Sequence, residues 1–187
     1  MSINKFMLIF LLLASGSLIA GNAVNYQVKS HEMTVRGTSN LQSWTAEVEK
    51  LSGQFGLQIS DGKIISVQNA SLRVDATSIK GSEGRRMDDK IYESLAVNRH
   101  PQISFVMREL LSLNENPGTA RIHTRGVLTI AGVSRNIELH AVGRILPGGD
   151  IEFSGSQSLN MTDFQIKPPT AMFGALRTGE EISLDFR

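Results

Sequence analysis

Residues 126–141 read G-V-L-T-I-A-G-V-S-R-N-I-E-L-H-A, and this segment is the clearest indication of the fold. Apolar and polar side chains alternate on both sides of the pair Ala131-Gly132, which is typical of a turn. Alternation with a period of two puts one face of a strand in a core and the other in solvent. The stretch therefore predicts two antiparallel strands joined by a tight connection.

The pairing of these two strands follows from the side chains that it brings together. With the turn placed at residues 131–134, Leu128 lies opposite Ile137 on one face of the hairpin. On the other face Arg125 lies opposite His140, so that polar side chains meet each other. Because cross-strand pairs of like polarity fix the register of a half-buried hairpin, we predict this pairing.

The same alternation recurs along the rest of the chain after residue 23. It is found in five further segments: residues 33–35, 55–59, 72–76, 103–107 and 182–186. Turn signals rich in glycine, proline and asparagine occur between segments, at residues 61–62, 116–118 and 147–150. Many short strands at hairpin spacing favour an all-β fold, a single antiparallel sandwich or barrel, over a parallel sheet.

One segment, Ser82 to Leu95, departs from this pattern. Met87, Ile91 and Leu95 recur at every fourth position among charged residues, which predicts a helix with a narrow apolar stripe. Ser82 is the residue that we expect to cap its N-terminus. The helix is short, so we expect it to lie over one end of the β-structure.

The composition of the 187 residues excludes several kinds of function. Lysine and arginine number 19 against 18 aspartate and glutamate, so the net charge of +1 provides no field that would attract nucleic acid. The absence of cysteine excludes disulfides, thiol catalysis and cysteine-ligated metal sites. The length suits one domain with a sizeable core.

The first 23 residues have the layout of a secretory signal peptide. Lys5 is followed by the apolar run Phe6–Leu13 and then by the small-residue stretch 14–23. We predict cleavage after Ala23, with Ala20 as the alternative, and a mature domain of residues 24–187. The other interpretation, a membrane anchor, is disfavoured because the apolar run is roughly half of the ~20 residues that span a bilayer.

The sequence contains no pattern of catalytic residues that we associate with an enzyme. It has no nucleophile elbow, phosphate-binding loop or H-E-x-x-H helix. His123 and His140 fall on the outward face of the predicted hairpin, where Glu138 could join them around a metal ion. A solvated polar face explains the same residues, and we favour it because such a site would lack a second shell of ligands. We therefore predict a protein that is not an enzyme and that holds no metal.

The inward faces of the predicted strands are apolar throughout. A closed barrel of about eight strands has an interior that either packs solid or holds one small ligand. Periodicity alone does not decide between these two interiors, and on the alternation by itself we favour a filled core. The single tryptophan, Trp44, is expected at the core or rim with its indole N–H on a polar partner.

Several blocks of the chain resemble the YceI-like family in order and spacing. They are G-T-S-N-L-Q-S-W (37–44), R-R-M-D-D-K-I-Y-E-S-L (85–95), H-P-Q-I-S-F (100–105), G-V-L-T-I-A-G-V-S-R (126–135) and M-T-D-F-Q-I-K-P-P (161–169). The resemblance implies one YceI-like β-barrel domain over residues 24–187, an antiparallel, extended lipocalin-like barrel of about eight strands with one short helix covering one end. It also implies a periplasmic protein and is compatible with a homodimer.

The function that the resemblance implies is the binding of a hydrophobic small molecule inside the barrel. The expected ligand is an isoprenoid, either a quinone or a polyprenyl lipid, or a fatty-acyl chain, with no catalytic cofactor and no nucleic acid. Apolar lining residues transfer from the family only as a class, and we assign that role to Trp44, Phe55, Leu57, Phe105, Leu128, Phe153 and Phe164. The alternatives are a solid-cored envelope module for stress or interaction, without lipid, and an enzyme acting on a lipid.

Overall fold

The alternating segments form strands that join into one antiparallel sheet. The structure is a computed structural model that describes residues 23–116 and 118–187. The strands in this described part are β1 Val24–Gln27, β2 Met33–Ser39, β3 Ser43–Val48, β4 Leu51–Ser60, β5 Lys63–Asp75, β6 Ile79–Gly81, β7 Gln102–Asn116, β8 Thr119–Ile130, β9 Val133–Ile145, β10 Ile151–Asn160, β11 Thr170–Ala171 and β12 Leu176–Phe186. The helix α1 spans Arg85–Leu95. The predicted all-β class with one short helix is confirmed.

The sheet curls so that a strand near one of its ends is connected along the chain to a strand near the other end. Neighbouring strands follow the order β1-β4-β5-β7-β8-β9-β10-β12-β2-β3-β6, and β11 pairs with β12. Strand β3 near one end continues through Glu49 and Lys50 into β4 near the other. At this junction the Glu49 amide donates to the Ser78 carbonyl at 3.1 Å, and the Asp75 amide donates to the Lys50 carbonyl at 3.1 Å. The curled sheet thus has the lipocalin-like barrel form.

The described residues form twelve strands, whereas the prediction was about eight. Two long strands are each interrupted, which accounts for part of the difference. β3 and β4 are separated by two residues, and β5 and β6 by the 3₁₀ turn Ala76–Ser78. The short strands β1 and β11 add the remainder.

The predicted hairpin is present, but its predicted register is wrong by two residues. The turn is the two-residue pair Ala131–Gly132, whose φ angles of 49° and 80° are both positive. Such a turn matches the right-handed twist of the flanking strands. Ile130 consequently pairs with Val133, and Leu128 pairs with Arg135. A shift of two residues leaves every side chain on its predicted face.

Substitution of Gly132 by alanine is expected to destabilise this hairpin. A Cβ atom there would lie 2.4 Å from Cε1 of His100, in addition to the strain of an L-residue at φ 80°. We expect Gly132→Ala to lower the free energy of unfolding by about 2–4 kcal/mol in urea denaturation. The control is Gly62→Ala, where φ is 70° and no other described residue lies within 4 Å of the new atom, so strain alone costs about 1–2 kcal/mol. Equal losses would contradict the contact with His100.

The N-cap of the helix lies two residues later than predicted. Gly84 is its N-cap with φ 78°, and Ser82 instead donates its backbone N–H to the Thr45 carbonyl at 2.9 Å. The predicted apolar stripe is correct, because Met87 and Ile91 pack on buried residues of β3, β5 and β6. The stripe attaches the helix to one end of the barrel.

The opposite end of the barrel is a solid core. It is built from six buried side chains near the β4–β5, β7–β8 and β9–β10 turns, namely Leu57, Ile64, Val67, Ala70, Ala120 and Ile122. Leu57 is 0% exposed, and the rings of Phe55 and Phe153 stack beside this cluster with centroids 5.1 Å apart. We call this cluster the solid end.

The predicted signal peptide spans residues 1–23, of which residues 1–22 lie outside the described residues. It therefore stays a prediction. From residue 23 onward, no helix of the described chain has the length and apolar character needed to cross a membrane.

Candidate ligand-binding cavity

A cavity of about 840 Å³ occupies the half of the barrel that lies under the helix. Its wall is mostly apolar and comes from residues of every described strand except β1, together with the apolar stripe of α1. The volume falls within the usual range of pockets that hold small organic ligands. The interior is therefore solid in one half and hollow in the other, so a fully solid core is excluded for the described chain.

Glycines opposite aromatic rings shape two parts of this wall. The Phe105 ring lies over Gly126, where a Cβ atom would come within 2.5 Å of the ring. The Trp44 ring lies over Gly37 in the same way, with 2.2 Å to the nearest ring atom. The Trp44 indole N–H also donates to the Thr38 carbonyl at 3.2 Å, which is the polar partner that the sequence predicted. Each glycine thus lets a large ring lie flat against the sheet.

The seven residues predicted as apolar lining divide between the two halves of the barrel. Those that line the cavity are Trp44, Phe105, Leu128 and Phe164. Those that pack in or against the solid end are Phe55, Leu57 and Phe153. Alternation along a strand predicts which side chains point inward, but it carries no information on the position of empty space along the barrel axis. The structure therefore places these three away from the cavity.

Part of the wall was missed because it comes from a segment without strand periodicity. Met161 and Ile166 line the cavity beside Phe164, in and after the 3₁₀ turn Met161–Phe164. Asn160 caps this turn, since its Oδ1 accepts from the Thr162 amide at 2.9 Å and from the Thr162 hydroxyl at 2.7 Å. The Asn160-Met161-Thr162 triplet is thus a capping signal from which the turn could have been predicted.

The mouth of the cavity is polar, in contrast to its wall. Its exposed lining residues are Gln42, Glu83, Arg86, Asp89, Lys90 and Thr170. The Gln42 amide donates to the Glu83 carboxylate, which joins the β2–β3 turn to the start of the helix region. An apolar interior behind a polar rim suits a ligand with a hydrocarbon body and a polar end.

Side chains on one face of the helix hold it at this mouth. The Tyr92 hydroxyl donates to the Thr77 carbonyl at 2.7 Å and accepts from the Lys80 ammonium at 2.7 Å. The Asp88 carboxylate accepts from the Gly81 amide at 2.7 Å. The hydrogen bond with Tyr92 raises the pKa of Lys80, and the nearby Asp88 carboxylate raises it further. The ammonium form of Lys80 is therefore favoured. These contacts fix the helix against β6.

The turn that supports Tyr92 depends on Asp75. Its carboxylate accepts from the Thr77 amide at 3.0 Å and from the Thr77 hydroxyl at 2.6 Å, and these bonds lower the pKa of Asp75. We expect Asp75→Ala to cost about 1 kcal/mol of unfolding free energy at neutral pH. Since the folded pKa lies below the unfolded one, this contribution is present above the ordinary value of 3.8 and is lost as the pH falls further.

Urea denaturation of wild type and Asp75→Ala between pH 7 and pH 2 measures this contribution. The gap between the two proteins should narrow below about pH 4. A gap that stays constant to the lowest pH would show that the charge of Asp75 does not stabilise the turn.

The histidines considered for a metal site lie on the outer face of the barrel. The rings of His123 and His140 stack with centroids 4.0 Å apart, and His123 Nε2 lies 2.9 Å from a Glu138 oxygen. Arg125 also contacts Glu138 at 3.0 Å and, with His123, lowers the pKa of that carboxyl. Among residues 23–116 and 118–187, no three histidine, cysteine or acidic side chains are grouped so that they could hold a metal ion. Arg125, Glu138 and His123 form a hydrogen-bonded network on the outer face.

A curled antiparallel sheet around an apolar cavity, with one helix at the mouth, defines a lipocalin-like barrel. Comparison with protein families matches residues 23–187 to the YceI-like domain. The chain therefore belongs to the YceI-like family. No curated protein matches the chain.

Solved structures with the same fold come from several bacteria. A polyisoprenoid-binding domain from Saccharophagus degradans, implicated in plant cell wall breakdown, has a TM-score of 0.63 at 13% identity, over 83% of this chain and 90% of that domain. BcnA from Burkholderia cenocepacia has a TM-score of 0.63 at 15% identity, over 83% and 93% of the two chains. The Campylobacter jejuni YCEI protein has a TM-score of 0.56 at 17% identity, over 96% and 95%. At these identities the likeness is one of fold.

Proposed function

We propose that this protein is an exported lipid carrier that holds an isoprenoid, a quinone or polyprenyl lipid, or another long-chain lipid in its cavity. The observation that carries the proposal is the apolar space of about 840 Å³ behind a polar mouth. A hydrocarbon tail that enters this space leaves water and gains about 25 cal/mol per Å² of apolar surface. The polyisoprenoid-binding domain from Saccharophagus degradans, which has the same fold, supports the isoprenoid class.

The proposed role is binding without chemistry. The polar side chains that line the cavity lie mainly at its mouth, and in the described wall none forms a nucleophile–base pair by a hydrogen bond. The deep wall, with Phe105, Leu139 and Ile182, offers only apolar contacts. Uptake and release of a lipid require only such contacts.

Organic extraction of the protein purified from its native host, followed by mass spectrometry, tests the carrier. We expect one polyprenyl, quinone or acyl species in stoichiometric amount. A protein that is empty and that also fails to take up such lipids when they are added would refute the proposal.

Export is the second part of the proposal, and it is tested separately. Intact-mass measurement of the protein from the periplasm should give a chain that begins at Val24. A periplasmic fraction without the protein, or a chain that retains Met1, would contradict export while leaving lipid binding in place.

A further inference from the structure

Two loops at the cavity mouth expose large apolar side chains. Leu41 in the β2–β3 turn is 69% exposed, and Phe173 in the loop before β12 is fully exposed. They are the two most exposed large apolar residues of the described chain. Phe173 also has a positive φ of 54°, which is unfavourable for a non-glycine residue, and its ring is nevertheless not packed against the protein. We refer to Leu41 and Phe173 together as the apolar tip.

The two loops are fixed to each other through Asn40. Its side-chain amide donates to the Ala175 carbonyl at 2.8 Å, and its Oδ1 accepts from the Arg177 amide at 2.9 Å. Its backbone N–H donates to the Arg177 carbonyl at 3.0 Å. The apolar tip is therefore presented by one connected pair of loops.

The same loops border the entrance of the cavity. Gln42 lies next to Leu41 in sequence and lines the mouth. Ala171 and Leu176, on either side of Phe173, line the cavity as well. A hydrophobic environment that covers the apolar tip would therefore also be in contact with the entrance of the cavity.

The charge of these loops is one-sided. Residues 37–46 and 164–179 contain Lys167 and Arg177 but no aspartate or glutamate, and the flanking acids Glu47, Asp163 and Glu180 lie directly beyond the ends of these segments. Neither Lys167 nor Arg177 forms an ion pair with any described residue. The acids at the helix side of the mouth, Glu83 and Asp89, are matched in number there by Arg86 and Lys90. Exposed apolar side chains with unpaired cations suit an anionic lipid surface.

We propose that the apolar tip inserts into an anionic lipid bilayer and sets the cavity mouth against the membrane. A lipid tail would then move between bilayer and cavity without crossing water. This inference rests on the proposed function, since it gives the carrier its loading surface.

Co-sedimentation with vesicles tests the docking surface. The probes are vesicles of 30:70 phosphatidylglycerol and phosphatidylcholine, and vesicles of phosphatidylcholine alone, with the protein purified as the cell produces it. We expect Leu41→Ser/Phe173→Ser to reduce partitioning to the anionic vesicles by about tenfold or more, because two apolar side chains no longer leave water. Lys167→Gln should weaken binding to the anionic vesicles and leave binding to phosphatidylcholine unchanged.

A matched control comes from the opposite end of the barrel. Ile65 is 45% exposed beside the solid end, so Ile65→Ser removes a comparable apolar side chain away from the mouth. It should bind vesicles like the parent. Equal losses in both variants, or a parent that does not bind, would overturn the proposal. So would a change of oligomeric state in the tip variant by sedimentation velocity, because a second copy would then cover the tip.

Uptake of a quinone delivered from ethanol separates this inference from the carrier role. The tip variant should still bind the quinone in solution while losing vesicle binding. If the parent docks to vesicles, the tip variant does not, and neither protein takes up the quinone, the carrier proposal fails and the membrane surface stands alone.

Discussion

Leu139→Arg is expected to weaken lipid binding in the cavity strongly. Leu139 points into the empty space from β9, where cavity water would solvate a guanidinium group in the ligand-free protein. A hydrocarbon tail would have to displace this water and leave the charge without a partner. We expect affinity to fall by about 100-fold, which corresponds to about 3 kcal/mol.

The intrinsic fluorescence of the protein provides the measurement. Trp44 is the single tryptophan and lines the cavity, so an isoprenoid quinone that enters should quench its emission. Val142→Arg is the matched control, because it makes the same kind of change on the exposed face of the same strand. Val142→Arg should titrate like the parent. Equal quinone binding by Leu139→Arg and Val142→Arg, with both proteins folded by circular dichroism, would contradict an internal site.

Leu57→Ala is expected to have the largest effect on stability. Leu57 is 0% exposed within the solid end, so truncation removes contacts on every side and leaves a void. A loss of about 2–5 kcal/mol in the free energy of unfolding is typical of such a site. Quinone quenching of Trp44 should be retained under conditions where the variant is folded, since Leu57 does not line the cavity.

Leu139→Ala makes the same chemical change in the wall of the cavity. One side of this side chain already borders empty space, so its truncation removes fewer contacts. We expect it to cost less than about 1.5 kcal/mol in urea denaturation. If the two leucine variants lose equal stability, the barrel does not have one solid and one hollow half.

Most of the fold could be predicted because the strands have one buried face. Alternation identified the inward residues of β7, β8 and β9, and the stripe of Met87, Ile91 and Leu95 identified the helix. The hairpin register was missed because it depends on the turn, and both Ala131 and Gly132 adopt positive φ. A shift of two residues keeps the same polarity on each face, so pairing of like residues could not detect it.

The candidate site was predictable only in part, for a related reason. The alternation of apolar and polar residues shows only whether a side chain points inward. Leu57 in the solid end and Leu128 in the cavity wall follow the same alternation, although only Leu128 borders empty space. The position of the cavity depends on how side-chain volumes fill the barrel along its axis. The interruptions that raise the number of strands depend on local caps, such as Asp75 on the Ala76–Ser78 turn. These caps interrupt strand pairing without changing the alternation of apolar and polar residues.

A crystal structure of the protein purified with its native lipid would show whether the hollow half of the barrel shelters a hydrocarbon chain. We predict continuous elongated density between Phe105 and Leu139 that ends at the polar mouth near Arg86. A cavity filled instead by the side chains of Trp44, Met87 and Met161, with no space for a chain, would contradict the account.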